Sequence, residues 1–285
     1  MPRVGVEARV LSSIAFWVLG PAFVFNLFAE STLSTDLIVR LAAAGIVGMA
    51  AAGIAAALAN GVVGSSRSVS AASVMTSAYG NVGNAGLAIT AFALGDEALA
   101  AAGVLMLTVN LSGISLGVTL AAGQSKGRTR AVIDGLRTPM TIAAGLAVLS
   151  NVTDIAPPLA LERSIQLLAG AMIPIMLLGL GAQLARTTIT SRPGHRFSFI
   201  TADLAISTVA KLLIAPTAAA ATAIALGLDG AELGAVVLQS AMPPAVFCLA
   251  VALEHDLEPD RVTTAVVGMT VASLATLPVV LLLVT

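Results

Sequence analysis

The chain alternates long apolar runs with short polar intervals. A membrane-spanning helix needs about 20 predominantly apolar residues. On that measure the runs fall at 8–29, 37–60, 70–94, 98–122, 138–153, 161–185, 198–227, 232–254 and 263–284. Periodicity inside a run carries little information, because a helix buried in lipid and protein is apolar all round. The interruptions are more telling. Two helix-breaking clusters lie in the middle of runs: Gly80-Asn81-Val82-Gly83-Asn84-Ala85-Gly86 in the third and Met242-Pro243-Pro244 in the eighth. Glycine weakens a helix interior, and proline removes a backbone donor and clashes with the preceding turn. In hydrocarbon such a break survives only where protein or a water-filled cavity covers the freed backbone groups. Paired breaks, one in each half of a chain, are a way in which secondary transporters build a binding site.

Composition agrees with the runs. The 285 residues are 58% hydrophobic and 10% charged, with a mean hydropathy of +0.99, whereas a soluble domain carries about 25% charged residues. The expectation is an all-α polytopic membrane protein with the lipid bilayer as its partner. A net charge of −1 gives no surface for nucleic acid. The single cysteine, Cys248, excludes an intrachain disulfide and reads as an inert thiol inside the eighth run. The first run continues straight into membrane-like sequence, unlike a cleaved signal peptide.

Basic residues orient the runs. Arg3 and Arg9 precede the first, Arg67 lies between the second and third, Lys126, Arg128, Arg130 and Arg137 between the fourth and fifth, and Arg186, Arg192 and Arg196 between the sixth and seventh. The alternate connections carry mainly acids: Glu30 and Asp36, Asp96 and Glu97, Asp154, then Asp229 and Glu232. This alternation places the N-terminus in the cytoplasm and the C-terminus outside a plasma membrane. One connection dissents: His255 to Arg261 holds Asp256, Glu258 and Asp260 against a single arginine.

Comparing the halves reveals a repeat. Residues 80–116 run break, apolar half-helix, acidic turn, then a span centred on Met106-Leu107-Thr108-Val109; residues 243–280 repeat that order, ending at Met269-Thr270-Val271. The shift is about 160 residues, and it also relates Gly20-Pro21 to Ile173-Pro174. Four runs precede the basic segment and five follow it, so the repeats have opposite orientation. The predicted organisation is a first inverted repeat at 1–122, a cytoplasmic loop at 123–137 and a second repeat at 138–285, the first repeat lacking its opening helix.

With these features in place the chain resembles the auxin efflux carrier family, which includes malate and malonate permease-like proteins and is related to PIN-type carriers. The resemblance lies in Gly-Pro-Ala-Phe-Val-Phe at 20–25, Gly-Asn-Val-Gly-Asn-Ala-Gly-Leu-Ala at 80–88, and Ile173-Pro174 with Leu177 to Ala182. It continues in Lys211 to Pro216 and in Ser240 to Phe247. The ordered set covers nearly the whole chain. It implies an inverted-repeat fold of the sodium–proton antiporter and bile-acid symporter type, ten helices whose fourth and ninth break and cross at mid-membrane. Here about nine are present. It also implies a secondary carrier of small organic anions, a dicarboxylate or an auxin-like carboxylate. A coupling proton or sodium ion and a second copy of the chain are further partners to look for.

The substrate-binding candidates are Gly80, Asn81, Gly83, Asn84, Asn110, Lys211, Gln239, Pro243 and Pro244. Half-helix N-termini at the breaks present unpaired amides and a partial positive charge suited to an anion, and Asn81 and Asn84 add amide groups there. The bland alternative for the glycines is close helix packing; for the prolines it is a simple kink. Gln239 precedes the second break. Lys211 lies mid-span, where a charge needs a partner or water. It either attracts a carboxylate or braces backbone carbonyls at a break. Asn110 either faces a cavity or bonds its own surroundings, Asp203 reads as interfacial, Arg40 as snorkelling, and Asn26 and Gln183 are weaker candidates.

Absences narrow the class. No Gly-x-x-x-x-Gly-Lys-Ser/Thr loop is present for nucleotide phosphates. His195 and His255 lie far apart in connections, with no cluster for a metal. No cofactor or enzymatic constellation is expected. The remaining alternative, motivated by the absent first helix, is a non-transporting relic or a regulatory membrane protein.

Overall fold

The polar residues bounding each run decide where its helix begins. Ser34, Ser66 and Thr138 cap α3 (Thr35–Val63), α4 (Arg67–Ala78) and α7 (Pro139–Thr153), accepting bonds from Leu37 N, Val69 N and Thr141 N. Acidic first turns open α6 (Asp96–Ala122), α8 (Leu159–Ile189) and α13 (Pro259–Val284), where Asp96, Glu97, Glu162 and Asp260 meet the positive helix end. As a result α3, α4, α6, α8 and α13 each start two to four residues earlier than the apolar runs suggest. Gly64, at φ 75°, closes α3 with the left-handed turn that glycine adopts freely.

The computed structural model describes residues 8–29, 33–122, 137–189, 201–255 and 257–284. The predicted loop at 123–137 lies outside the described residues except for Arg137, and so do Arg3, Glu30, Arg192, His195, Arg196, the start of the seventh run and Asp256. The chain opens with α1 (Ala8–Ile14) and α2 (Gly20–Ala29), joined by a π-helical turn at Ala15–Leu19 in which Gly20 N bonds Ala15 O, five residues back. A second such turn, Ala210–Ile214, joins α9 (Ala202–Val209) to α10 (Ala215–Ala225). Each precedes a proline, Pro21 or Pro216, whose missing N–H already interrupts the ladder.

The third run is divided into α4, a π-helical turn at Val82–Leu87 and α5 (Ala88–Leu94); the eighth into α11 (Gly230–Ser240) and α12 (Phe247–His255). Both divisions fall at the predicted breaks. Among the described residues four helical stretches are long and apolar enough to cross a membrane: Thr35–Val63, Leu159–Gly179, Ala202–Ala225 and Pro259–Val284. Their outward faces carry large apolar side chains such as Leu58, Leu167, Leu274 and Leu282, as expected where lipid takes the place of water. The chain is an all-α polytopic membrane protein.

Packing cuts across the sequence halves. α2 packs on α7 and α8, and α1 on α8. α3 packs on α4, α6 and α10; α11 packs on α6, α10 and α13. These two groups touch where the Val82–Leu87 turn and α5 meet α8, and where α2 meets α6. Small residues permit the closest approaches. A β-carbon at Gly48 would stand 2.8 Å from Ala219 Cβ, so the α3–α10 contact depends on the missing side chain.

Candidate functional site

The two breaks meet. Gly80 and Pro244 form an isolated antiparallel bridge, in which Asn81 N donates to Pro243 O at 2.7 Å and Ala245 N donates to Tyr79 O at 3.3 Å. The expectation of unpaired amides is thus corrected at two positions: each break takes up a backbone group freed by the other. In a medium without water this is the physical reason that two helices interrupt at one level. Asn81 O accepts from Gly86 N at 2.9 Å, starting the π-helical turn. The Asn81 side chain is buried, does not cap that turn, and has no hydrogen-bond partner among the described residues.

Lys211 reaches the crossing from the π-helical turn between α9 and α10. It is 3% exposed, and its Nζ donates to Ser240 O, the last residue of α11, at 3.1 Å. A cation at the C-terminal end of a helix opposes its partial negative charge. Among the described residues no carboxylate lies within ion-pair distance of it; the ion pairs join Arg40 to Asp36, and Arg261 to Asp203 and Glu258. Gly80 makes room for the ammonium, since a β-carbon there would stand 3.0 Å from Nζ and 3.3 Å from Cε.

Gln239 is 1% exposed beside the same point. Its Nε2 donates to Thr90 Oγ1 at 3.4 Å, while its Oε1 has no partner among the described residues. The amide lies over Gly86, where a β-carbon would come within 2.1 Å of Oε1. The open sides of Gly80 and Gly86 are thus occupied by polar side-chain ends of the crossing and not by helix packing alone. Gly83 is different: a β-carbon there meets Met176 and Met106 at ordinary distances of 3.7 and 3.9 Å. Asn84, in the same turn, is half-buried.

At the other half-helix end stands Tyr79, the only tyrosine in the chain. Its hydroxyl donates to Asn110 Oδ1 at 2.7 Å, and its ring packs against Phe247 with centroids 5.2 Å apart. Asn110 therefore ties α6 to the break. Cys248 is fully buried, with Sγ 3.8 Å from Met75 O and 3.9 Å from Tyr79 O, at the last carbonyls of α4. Tyr79 drew no attention in the sequence, although a lone tyrosine directly before a glycine break in an apolar run was a usable signal.

Gly80, Lys211, Gln239 and Ser240 line a cavity of about 10 Å³, room for about one water molecule. The crossing is closed. A larger cavity of about 280 Å³ opens between α4, α9 and α13. Asp203 lines it, paired to Arg261 at 2.9 Å. Asn26 lines a separate cavity of about 660 Å³ between α2, α7 and α8 and is not brought to the crossing. Arg40 pairs with Asp36 and donates to Leu226 O at 3.3 Å, closing the C-terminus of α10 instead of standing free. The Gln183 side chain lies outside the described set.

A family model described as membrane transport protein matches residues 124–281. An uncharacterized transporter of Methanothermobacter thermautotrophicus is 26% identical over 280 residues, covering 95% of this chain and 87% of that protein. A Rhizobium meliloti protein provisionally named a malonate transporter is 27% identical over 210 residues, 70% of this chain and 62% of that protein. The matched family and these relatives identify a transporter and not an enzyme: the chain belongs to the membrane transport protein family that includes the auxin efflux carriers.

Proposed function

We propose that the protein is a secondary carrier of small organic anions, moving a dicarboxylate or an auxin-like monocarboxylate by alternating access around the crossing of the two breaks. The observation that carries this reading is the junction itself. Two interrupted helices meet at Gly80 and Pro244, with a buried, carboxylate-free lysine 3.1 Å from the end of one of them. Such a lysine can exchange a backbone carbonyl for a substrate carboxylate at low cost, because both accept from the same ammonium. Gly80, Asn81, Gly83, Asn84, Gln239, Pro243 and Pro244 would surround the substrate, with Asn110 holding Tyr79 in place. Malonate is a reasonable first substrate to try, given the name of the Rhizobium relative.

In this reading the chain comprises about nine spans in two inverted repeats, 1–122 and 138–285, about the 123–137 segment. It lies in the plasma membrane with the N-terminus in the cytoplasm. The grouping of helices across the halves favours movement of the α3–α6 and α9–α13 group against α1, α2, α7 and α8, rather than of one repeat against the other. The place of Asp203 in a cavity favours a coupling cation, proton or sodium. A second copy of the chain could pack on the apolar outer face of α7 and α8. Reconstituted protein should take up labelled malonate, malate or an indole-type carboxylate, and Lys211→Ala should abolish that flux while leaving expression intact. Unchanged flux in Lys211→Ala would remove Lys211 from the anion site; no flux of any carboxylate in the unmodified protein would sink the substrate class.

A further inference from the structure

The interval from His255 to Arg261 is the connection whose acids break the basic alternation, and its Glu258, Asp260 and Arg261 rim the cavity between α4, α9 and α13. We infer that this cavity is an access vestibule that admits cations and turns carboxylate anions away. Its part in a transport cycle rests on the function proposed above; its charge selection does not.

Two independent features of the walls carry the inference. Among the described residues the rim sets Asp203, Glu258 and Asp260 against one guanidinium, that of Arg261. Arg261 is already engaged, 2.9 Å from Asp203 Oδ1 and 3.5 Å from Glu258 Oε2, so it offers an incoming anion little. Four of the wall hydroxyls, those of Ser73, Thr76, Ser207 and Thr264, have their protons committed elsewhere, while that of Thr201 at the rim makes no bond among the described residues. Thr76 donates to Ala72 O at 2.9 Å, Ser207 to Asp203 O at 2.8 Å and Thr264 to Asp260 O at 2.9 Å. Ser73 Oγ accepts from Asn60 Nδ2 at 2.9 Å and lies 2.7 Å from Ser207 Oγ. Because the Ser207 proton goes to Asp203 O, Ser73 is the donor in that pair. A hydroxyl has one proton and two lone pairs, so these oxygens turn only lone pairs to the cavity. A carboxylate needs donors and finds none in these four hydroxyls. A hydronium, ammonium or alkali cation needs acceptors and finds several.

The vestibule points at the crossing. Thr76 stands three residues before Tyr79, and Ser207 four before Lys211, about one helical turn or roughly 5.4 Å along each helix. A cation admitted here would stop one turn short of the buried lysine, while the anion would reach the crossing by another face.

Charged thiol reagents test this on the purified full chain in mild detergent. Thr264→Cys and Ala72→Cys place thiols on the walls, and unmodified protein, whose Cys248 is fully buried, gives the background. Rates are measured with trimethylammonium, sulfonate and neutral methyl methanethiosulfonates, each divided by its rate with a free small thiol. The expected cationic-to-anionic ratio is about tenfold, from two uncompensated charges at partly screened range. It should fall towards one in Glu258→Gln/Asp260→Asn. A ratio of one or less at both thiols overturns the inference, as does a ratio untouched by neutralising the two acids. Failure of even the neutral reagent to react at either position would show that no vestibule opens there. A protein that moved no carboxylate in liposomes yet kept the ratio would refute the proposed function alone.

Discussion

The two breaks reach the same place by different chemistry. The first is made by glycine and bends through a π-helical turn at Val82–Leu87; the second is made by Pro243 and Pro244 and simply leaves the helix. Their preceding half-helices also end differently. The last carbonyl of α11 is met by the ammonium of Lys211, whereas those of α4 face the thiol of Cys248 and the amide of Ala245. One end carries a full charge and the other a weak neutral donor. The lesson is that two breaks that meet at one point need not be closed by the same chemistry. The α11 end is the one where an anion would find a cation, and the α4 end is the one braced by side chains through Tyr79 and Asn110.

Substitutions at each end sharpen or break that contrast. The largest effect is expected for Lys211→Ala, which should reduce carboxylate flux to background and remove a charge-assisted bond worth about 1.5–3 kcal/mol. Flux assays and thermal melts in detergent separate the two losses. Gly86→Ala comes next, because its β-carbon would stand 2.1 Å from Gln239 Oε1. Overpacking of this kind costs about 1–3 kcal/mol, and Gln239→Ala should relieve it. A double-mutant cycle with no coupling between positions 86 and 239 would show that the amide does not rest on the glycine.

Tyr79→Phe should cost about 1 kcal/mol through the bond lost to Asn110, with flux retained; loss of all flux would place Tyr79 in the transport site itself. Cys248→Ser should do least, leaving flux unchanged and lowering the melting temperature less than the other three. An effect there as large as that of Lys211→Ala would abolish the asymmetry between the two ends.

Much of the architecture was legible from hydropathy. Each apolar run coincides with a helix or a divided helix among the described residues, since lipid admits no other backbone arrangement for an isolated segment. The breaks were legible because glycine and proline act locally. Helix starts were misplaced by two to four residues because caps such as Ser34 and Ser66 are polar and fall outside any apolar count. The fate of single polar residues was not legible. Asp203 read as interfacial, but its partner Arg261, 58 positions away, could not be picked out. Asn110 was a substrate-binding candidate and Asn26 a weaker one, and nothing in either local sequence foretold that Asn26 lines a separate cavity while Asn110 holds Tyr79.

What the sequence determined by itself is that the chain crosses a membrane repeatedly as helices and interrupts two of its runs at Gly80 and Pro243, because length, hydropathy and backbone chemistry are local properties. Only the tertiary structure decided that Asn81 bonds Pro243, that Lys211 closes α11 and that the acids near Arg261 rim a cavity reaching towards the crossing. Those pairings join residues 29 to 162 positions apart, and no spacing rule within one helix determines which distant polar group a buried donor will find.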